Sequence, residues 1–133
     1  MSGYLRFVYG ELIEGVGFRA GFLDAAYCLR NDDLTEQTTY AELDRLVVWY
    51  KANLPIPEVF SRTSSKGAYH RNTKGLSWFK ASAQEHIARA YEVMAILAEH
   101  DIAVDVLKSD RVGYIVYEDE WQVVAEPFAD TPT

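Results

Sequence analysis

Aromatic and branched residues fill Tyr4 to Tyr9, with Leu5, Phe7 and Tyr9 alternating against Tyr4, Arg6 and Val8, and this period of two predicts a first strand. Four glycines then fall among charged and apolar residues between Gly10 and Gly21, the composition of a loop. Phe22, Ala25, Ala26 and Leu29 recur at helical spacing and predict a short helix over 22–30, ended by Asn31-Asp32-Asp33. Thr39-Tyr40-Ala41-Glu42 has the pattern of a capping box, in which the Thr hydroxyl accepts from the backbone N–H three residues on and the Glu reaches back. The helix it would open repeats Leu43, Leu46, Val47, Tyr50 and Leu54 and stops before Pro55 and Pro57. The proline ring disfavours helical geometry at the residue preceding it, which sets that boundary at Leu54.

From Ile56 to Gly75 no period is sustained and Ser, Thr, Gly and Asn are frequent, so 59–75 is expected to be a long irregular loop. Leu76, Phe79, Ala83, Ile87, Ala90, Tyr91, Met94 and Leu97 form one face at a spacing of three and four, predicting a helix over 76–100. Within it Glu85 and Arg89 stand four apart in the favourable order. The remainder reads as β: a strand over 102–107, a turn over 109–113, a strand over 114–117, an acidic connection at Glu118-Asp119-Glu120, and a strand over 121–126 closed by Pro127. Connections this short favour an antiparallel meander. The expected fold is α+β: a small antiparallel sheet of about four strands with about three helices packed on one face. Residues 1–133 make one domain, with a flexible tail over 129–133.

A chain of 133 residues buries roughly two-thirds of its unfolded surface and needs neither metal nor disulfide to fold. Cys28 is the sole cysteine; in the apolar run Ala25-Ala26-Tyr27-Cys28-Leu29 it reads as a buried, inert thiol. No apolar run reaches the roughly 20 residues of a membrane span, and the first residues lack a signal-like apolar stretch. A reducing, cytoplasmic setting follows as the expectation.

Charge changes the picture most. Thirteen Lys and Arg against 20 Asp and Glu give a formal −7. Yet no acidic residue lies between Glu58 and Glu85, while Arg62, Lys66, Arg71, Lys74 and Lys80 do, with His70 beside them. Interleaved with Phe60, Tyr69 and Trp78, these cations point to an anion- or partner-facing patch. Arg62, Lys66, Tyr69, His70, Arg71, Lys74 and Trp78 are its candidate binding residues. The alternative is that these cations merely balance carboxylates elsewhere on the molecule.

Other patterns carry less chemistry. Ser64-Ser65-Lys66-Gly67 and Thr73-Lys74-Gly75 both lack the upstream glycine of a phosphate loop. Gly15, Gly17 and Ala20 fit a dinucleotide fingerprint formally, but no parallel βαβ unit surrounds them. His70, His86 and His100 show no metal-ligand spacing; His86 suits a core-edge position and His100 the negative end of a helix. Glu118, Asp119 and Glu120 crowd three carboxylates at a hairpin tip, where a solvated turn outweighs acid/base work. No cofactor and no metal site is expected.

Arg111 to Pro127, reading RVGYIVYEDEWQVVAEP, resembles the tail of a broadly distributed family of small bacterial proteins of uncharacterised activity, as do Trp49 to Pro57 and Trp78-Phe79-Lys80. The resemblance implies a fold-sized unit of a bacterial or phage-borne cytosolic protein and brings no mechanism with it.

The first functional expectation is therefore a non-enzymatic accessory domain that engages a protein partner, in a regulatory or inhibitory role, through a charge-polarised surface. The alternative is a small enzyme or a nucleotide- or phosphorylated-ligand-binding protein using 59–80. Single-stranded nucleic-acid binding comes third, because the net charge argues against it. The aromatic content is compatible with a homodimer, and no membrane association is expected.

Overall fold

The computed structural model describes residues 3–13, 18–54 and 75–132. In chain order the elements are β1 (Tyr4–Tyr9), β2 (Ala20–Gly21), α1 (Phe22–Arg30), α2 (Gln37–Asn53), β3 (Leu76–Lys80), α3 (Gln84–Ala98), β4 (Val104–Ser109), β5 (Tyr114–Glu118) and β6 (Gln122–Glu126). The protein is α+β, and its described residues form three helices and an antiparallel sheet of six strands rather than about four.

β1 organises the sheet. Along one edge it pairs with β4 over its whole length, from Tyr4↔Ser109 to Tyr9↔Val104. Its other edge is shared: Tyr4 and Leu5 pair with Lys80 and Phe79 of β3, while Val8 and Tyr9 pair with Gly21 and Ala20 of β2. Between these two partners Arg6 and Phe7 have no strand neighbour on that edge among the described residues. The sheet therefore forks there, and β3 continues away from β1 along β6 through Leu76↔Ala125. β5 closes the far edge against β6, with a register shift between Ile115 and Tyr117.

Residues opposite one another in an antiparallel ladder share a face. Leu5, Phe7, Tyr9 and Phe79 thus face the helices, where Phe7 and Phe79 join Phe22, Ala25 and Ala26 of α1, Leu43, Leu46, Val47 and Tyr50 of α2, and Ala90, Val93 and Leu97 of α3. Rings of Phe7, Phe22, Tyr50 and Phe79 meet at centroid separations of 5.5–6.2 Å, the range of favourable aromatic pairs. The opposite face carries a second cluster of Leu76, Trp78, Val112, Val123 and Ala125, with Tyr4, Phe18 and Leu107 against it.

Several expectations need correction. Residues 76–80 are a strand and not the first turns of a helix; α3 begins only at Gln84, after the turn at Ala81-Ser82. Its buried face is His86, Ala90, Val93 and Leu97, and Tyr91 is exposed. The strand was hidden because Leu76, Phe79 and Ala83 happen to fall at helical spacing, although β3 buries residues on both faces of the sheet. Thr39 does not cap α2, which starts at Gln37 with Glu36 as N-cap and no side-chain cap bond. The C-terminal end is as expected, with Leu54 extended at φ −134° and ψ 95°.

β4, β5 and β6 do not form a three-strand meander, since β4 and β5 occupy opposite edges. The connection 110–113 crosses the second face, burying Val112 on the way. Gly113 ends it at φ +122°, where an added Cβ would lie 2.0 Å from the Glu126 carbonyl oxygen. Only glycine permits that approach. Cys28 is exposed, not buried, because Ala25 and Ala26 take the inward positions of α1.

The acidic tip between β5 and β6 is a structural turn. Asp119 accepts hydrogen bonds from Trp121 N–H at 2.8 Å, Gln122 N–H at 3.0 Å, the Tyr117 hydroxyl at 2.9 Å and Gln122 Nε2–H at 3.1 Å. Partial burial pushes its carboxyl up, but these four donors together outweigh that and hold it below the ordinary aspartate value. The chain end is tied to the crossing connection, where the Thr131 hydroxyl donates to Arg111 C=O at 3.1 Å.

Candidate functional site

The fork in the sheet leaves a cavity of about 420 Å³, within the usual range of small-molecule sites. Its wall is built from the two strands that part there: Arg6 and Phe7 of β1 on one side, Leu76 to Phe79 of β3 on the other. The lead into α1 and its first turn, from Phe18 to Asp24, form a third side, and Tyr50 and Lys51 of α2 with its C-cap Leu54 a fourth. Because the lining draws on both faces of the sheet, the cavity runs into the gap itself and not merely across a surface.

Two donors among the cavity's lining residues lack acceptors among the described residues. Arg6, 8% exposed, sits in the centre of an aromatic and aliphatic strand; one terminal nitrogen donates to Arg19 C=O at 2.6 Å, and its Nε–H has no partner. Trp78, 0% exposed, leaves its indole Nε1–H unpaired. A buried N–H without an acceptor costs about 1–3 kcal/mol, so each of these calls for an explanation. Burial is the main influence on the Arg6 guanidinium and pushes it down to about 10; the nearby Asp24 carboxylate raises it and Arg19 lowers it further. It remains charged at neutral pH.

Arg19 braces this arrangement. Its Nε–H donates to Gly10 C=O at 2.7 Å and its terminal nitrogen pairs with Asp105 of β4 at 2.8 Å. Gly10 takes φ +73° to bring the carbonyl round. The start of α1 lies beside it: its N-cap is Gly21, and no side chain caps the helix.

Of the residues singled out from the sequence, Arg62, Lys66, Tyr69, His70, Arg71 and Lys74 lie outside the described residues, as do Gly15 and Gly17. Trp78 is described and is a buried wall residue of the cavity. Lys80, the last cation of the basic stretch, pairs with Glu118 at 2.6 Å, an instance of internal charge balance. Arg6 is not among the residues that charge clustering or motif spacing picks out. The signal was available, since a charged residue flanked by Leu5, Phe7 and Val8 in the first strand demands a reason.

The histidines serve the scaffold. His86 is buried between Trp49 and Trp121, at centroid distances of 4.7 and 5.2 Å. Its Nε2–H donates to Asn53 C=O at 2.7 Å, since a carbonyl can only accept, and its own carbonyl accepts the Tyr50 hydroxyl at 2.6 Å. His100 Nδ1–H donates to Ile96 C=O at 3.0 Å, satisfying one of the last carbonyls of α3. Among the described residues no group of three or more His, Cys, Asp or Glu is placed to hold a metal ion. None of their helices is long and apolar enough to cross a membrane.

Compared with known protein families, curated proteins and solved structures, the chain matches none.

Proposed function

We propose that this domain is a binding protein for a small organic molecule, held in the cavity where the sheet forks. The observation that carries this reading is that Arg6 Nε–H and Trp78 Nε1–H, in residues on two sides of the cavity, have no partner among the described residues. Neither nitrogen is reached by solvent, so bulk water does not compensate them. With a small shift of the wall that uncovers these nitrogens, a ligand with hydrogen-bond acceptors and an apolar body supplies what both lack, and Phe7, Phe22, Tyr50 and Phe79 supply the apolar surroundings. The described lining residues offer a binding surface, and binding is the reading proposed.

A thermal-shift screen against metabolite-sized compounds tests it. A ligand at a hundred times its dissociation constant stabilises the fold by about 2.7 kcal/mol. For a domain of this size that raises Tm on the order of 10 °C. A screen without a hit, or hits whose effect survives Trp78→Phe and Phe22→Leu unchanged, removes the cavity as the site.

The first expectation from the sequence, engagement of a protein partner, stays attached to Arg62, Lys66, Arg71 and Lys74, and its support is the charge pattern. Changing these four to Ser and measuring salt-dependent partner capture tests it independently of the cavity. The resemblance of residues 111–127 to small bacterial proteins supports a bacterial or phage-borne cytosolic setting for either role.

A further inference from the structure

The charge of the cavity wall runs opposite to that of the chain. The whole protein carries 20 acidic residues against 13 basic ones, yet among the described residues the charged lining is Arg6, Arg19, Lys51 and one carboxylate, Asp24. Arg19 is engaged by Gly10 and Asp105, which leaves Arg6 as the buried cation with an unused donor. The first turn of α1 faces the same space. Helix starts normally recruit Ser, Thr, Asp or Asn to accept from their free N–H groups, and here Gly21 holds the N-cap position in extended geometry, φ −77° and ψ 157°, with no side chain doing so. Such an end carries roughly half a positive charge and favours an anion.

Building on the reading of the cavity as a ligand site, we propose that its ligand is an organic anion: a carboxylate or phosphate head group seated between Arg6 and the N-terminus of α1, on an aromatic or apolar body lying along Trp78 and Phe18. Both head groups offer the same chemistry to this wall, an oxyanion that accepts from a guanidinium and backbone N–H groups. Trp78 Nε1–H, buried in this structure, donates to a second acceptor on the ligand only once the wall shifts to expose it. Asp24, exposed in the first turn of α1, opposes added negative charge and so disfavours a dianion relative to a monoanion.

Calorimetric titration of the whole chain with phenylacetate, phenyl phosphate and the neutral phenylacetamide tests the assignment. The expected result is that one or both anions bind at least tenfold more tightly than the amide, and the tighter anion identifies the head group. Asp24→Asn, at an exposed position and therefore compatible with folding, is expected to tighten the anions about two- to fivefold and leave the amide unchanged. Arg6→Lys keeps the charge but loses the Nε–H, and is expected to weaken the anions about tenfold or more. If the amide binds as tightly as the anions and Asp24→Asn changes nothing, the anion assignment is overturned while the cavity remains a ligand site. If none of the three probes binds and the wider compound screen is also blank, the ligand-site reading fails with it.

Discussion

Replacing Gly113 by alanine drives a Cβ into the backbone at the end of β6. A Cβ at this position would stand 2.0 Å from Glu126 C=O oxygen, 2.6 Å from its carbon and 2.8 Å from Pro127 Cα. All three are backbone atoms, so no side chain can rotate aside and the two segments must separate. The φ of +122° adds strain of about 1–3 kcal/mol for any residue with a Cβ. Separation also disturbs the Tyr114↔Glu126 pair that begins the β5–β6 ladder, at about 1 kcal/mol for each hydrogen bond lost. Val112, 3% exposed and next in the chain, loses part of a burial worth about 1.5–3 kcal/mol. Together these place the cost on the order of 4 kcal/mol, at the severe end for a single substitution. In urea denaturation followed by tryptophan fluorescence, with a slope of about 2 kcal/mol per molar, the midpoint is expected to fall on the order of 2 M. Gly10→Ala is the control: it also takes positive φ, at +73°, but nothing lies within 4 Å of its Cβ position. It is expected to cost about 1 kcal/mol. Equal losses for the two variants would refute the close-approach argument.

Other substitutions probe the rest of the framework. Tyr50→Phe removes the donor to His86 C=O inside the core and is expected to cost about 1–2 kcal/mol in the same denaturation assay. Burial raises the Tyr50 phenol well above its ordinary value, so its contribution is complete below pH 10 and is lost as pH climbs beyond that; an ultraviolet titration of the folded protein should leave this tyrosine un-ionised at pH 11. Asp119 shifts the opposite way: its stabilisation is complete above the ordinary aspartate value of 3.8 and disappears as pH falls through the lower folded value. Asp119→Asn is therefore expected to destabilise at pH 7 and to flatten the acid limb of a stability-against-pH curve. Lys80→Ala breaks a half-exposed ion pair with Glu118 and is expected to cost less than about 1 kcal/mol, with the loss shrinking in high salt.

Local periodicity made β1, α1, the buried face of α2 and the β5–β6 hairpin legible before any coordinates. These elements each bury one side, so the alternation or the three-four spacing survives in the sequence. β3 was not legible, because Leu76, Trp78 and Phe79 bury both faces of a short strand and an apolar run of that kind reads equally well as helix. β2 has only two residues and no period at all. The edge position of β4 is a non-local fact: it depends on Val112 crossing the second face and on Gly113 touching β6, contacts that local spacing does not encode. The sequence suggests Trp78 as a ring of the basic patch, whereas in the structure it is a buried wall residue of the cavity. Arg6 belongs to the site because the sheet forks beside it, and the fork exists only once β2 and β3 share one edge of β1.

The indole N–H resonances offer the most direct test of the cavity as a binding site. The chain has three tryptophans, so a ¹H–¹⁵N spectrum holds three indole cross-peaks, and Trp78→Phe assigns one of them. Titration with the tightest compound from the screen should move the Trp78 indole and Arg6 Nε–H signals together, with the affinity found by calorimetry. Trp49 and Trp121, which flank His86 on the helix side, should stay in place. Movement confined to Trp49 or Trp121, or saturation of binding with the Trp78 and Arg6 signals unmoved, would contradict the assignment of the ligand to the fork in the sheet.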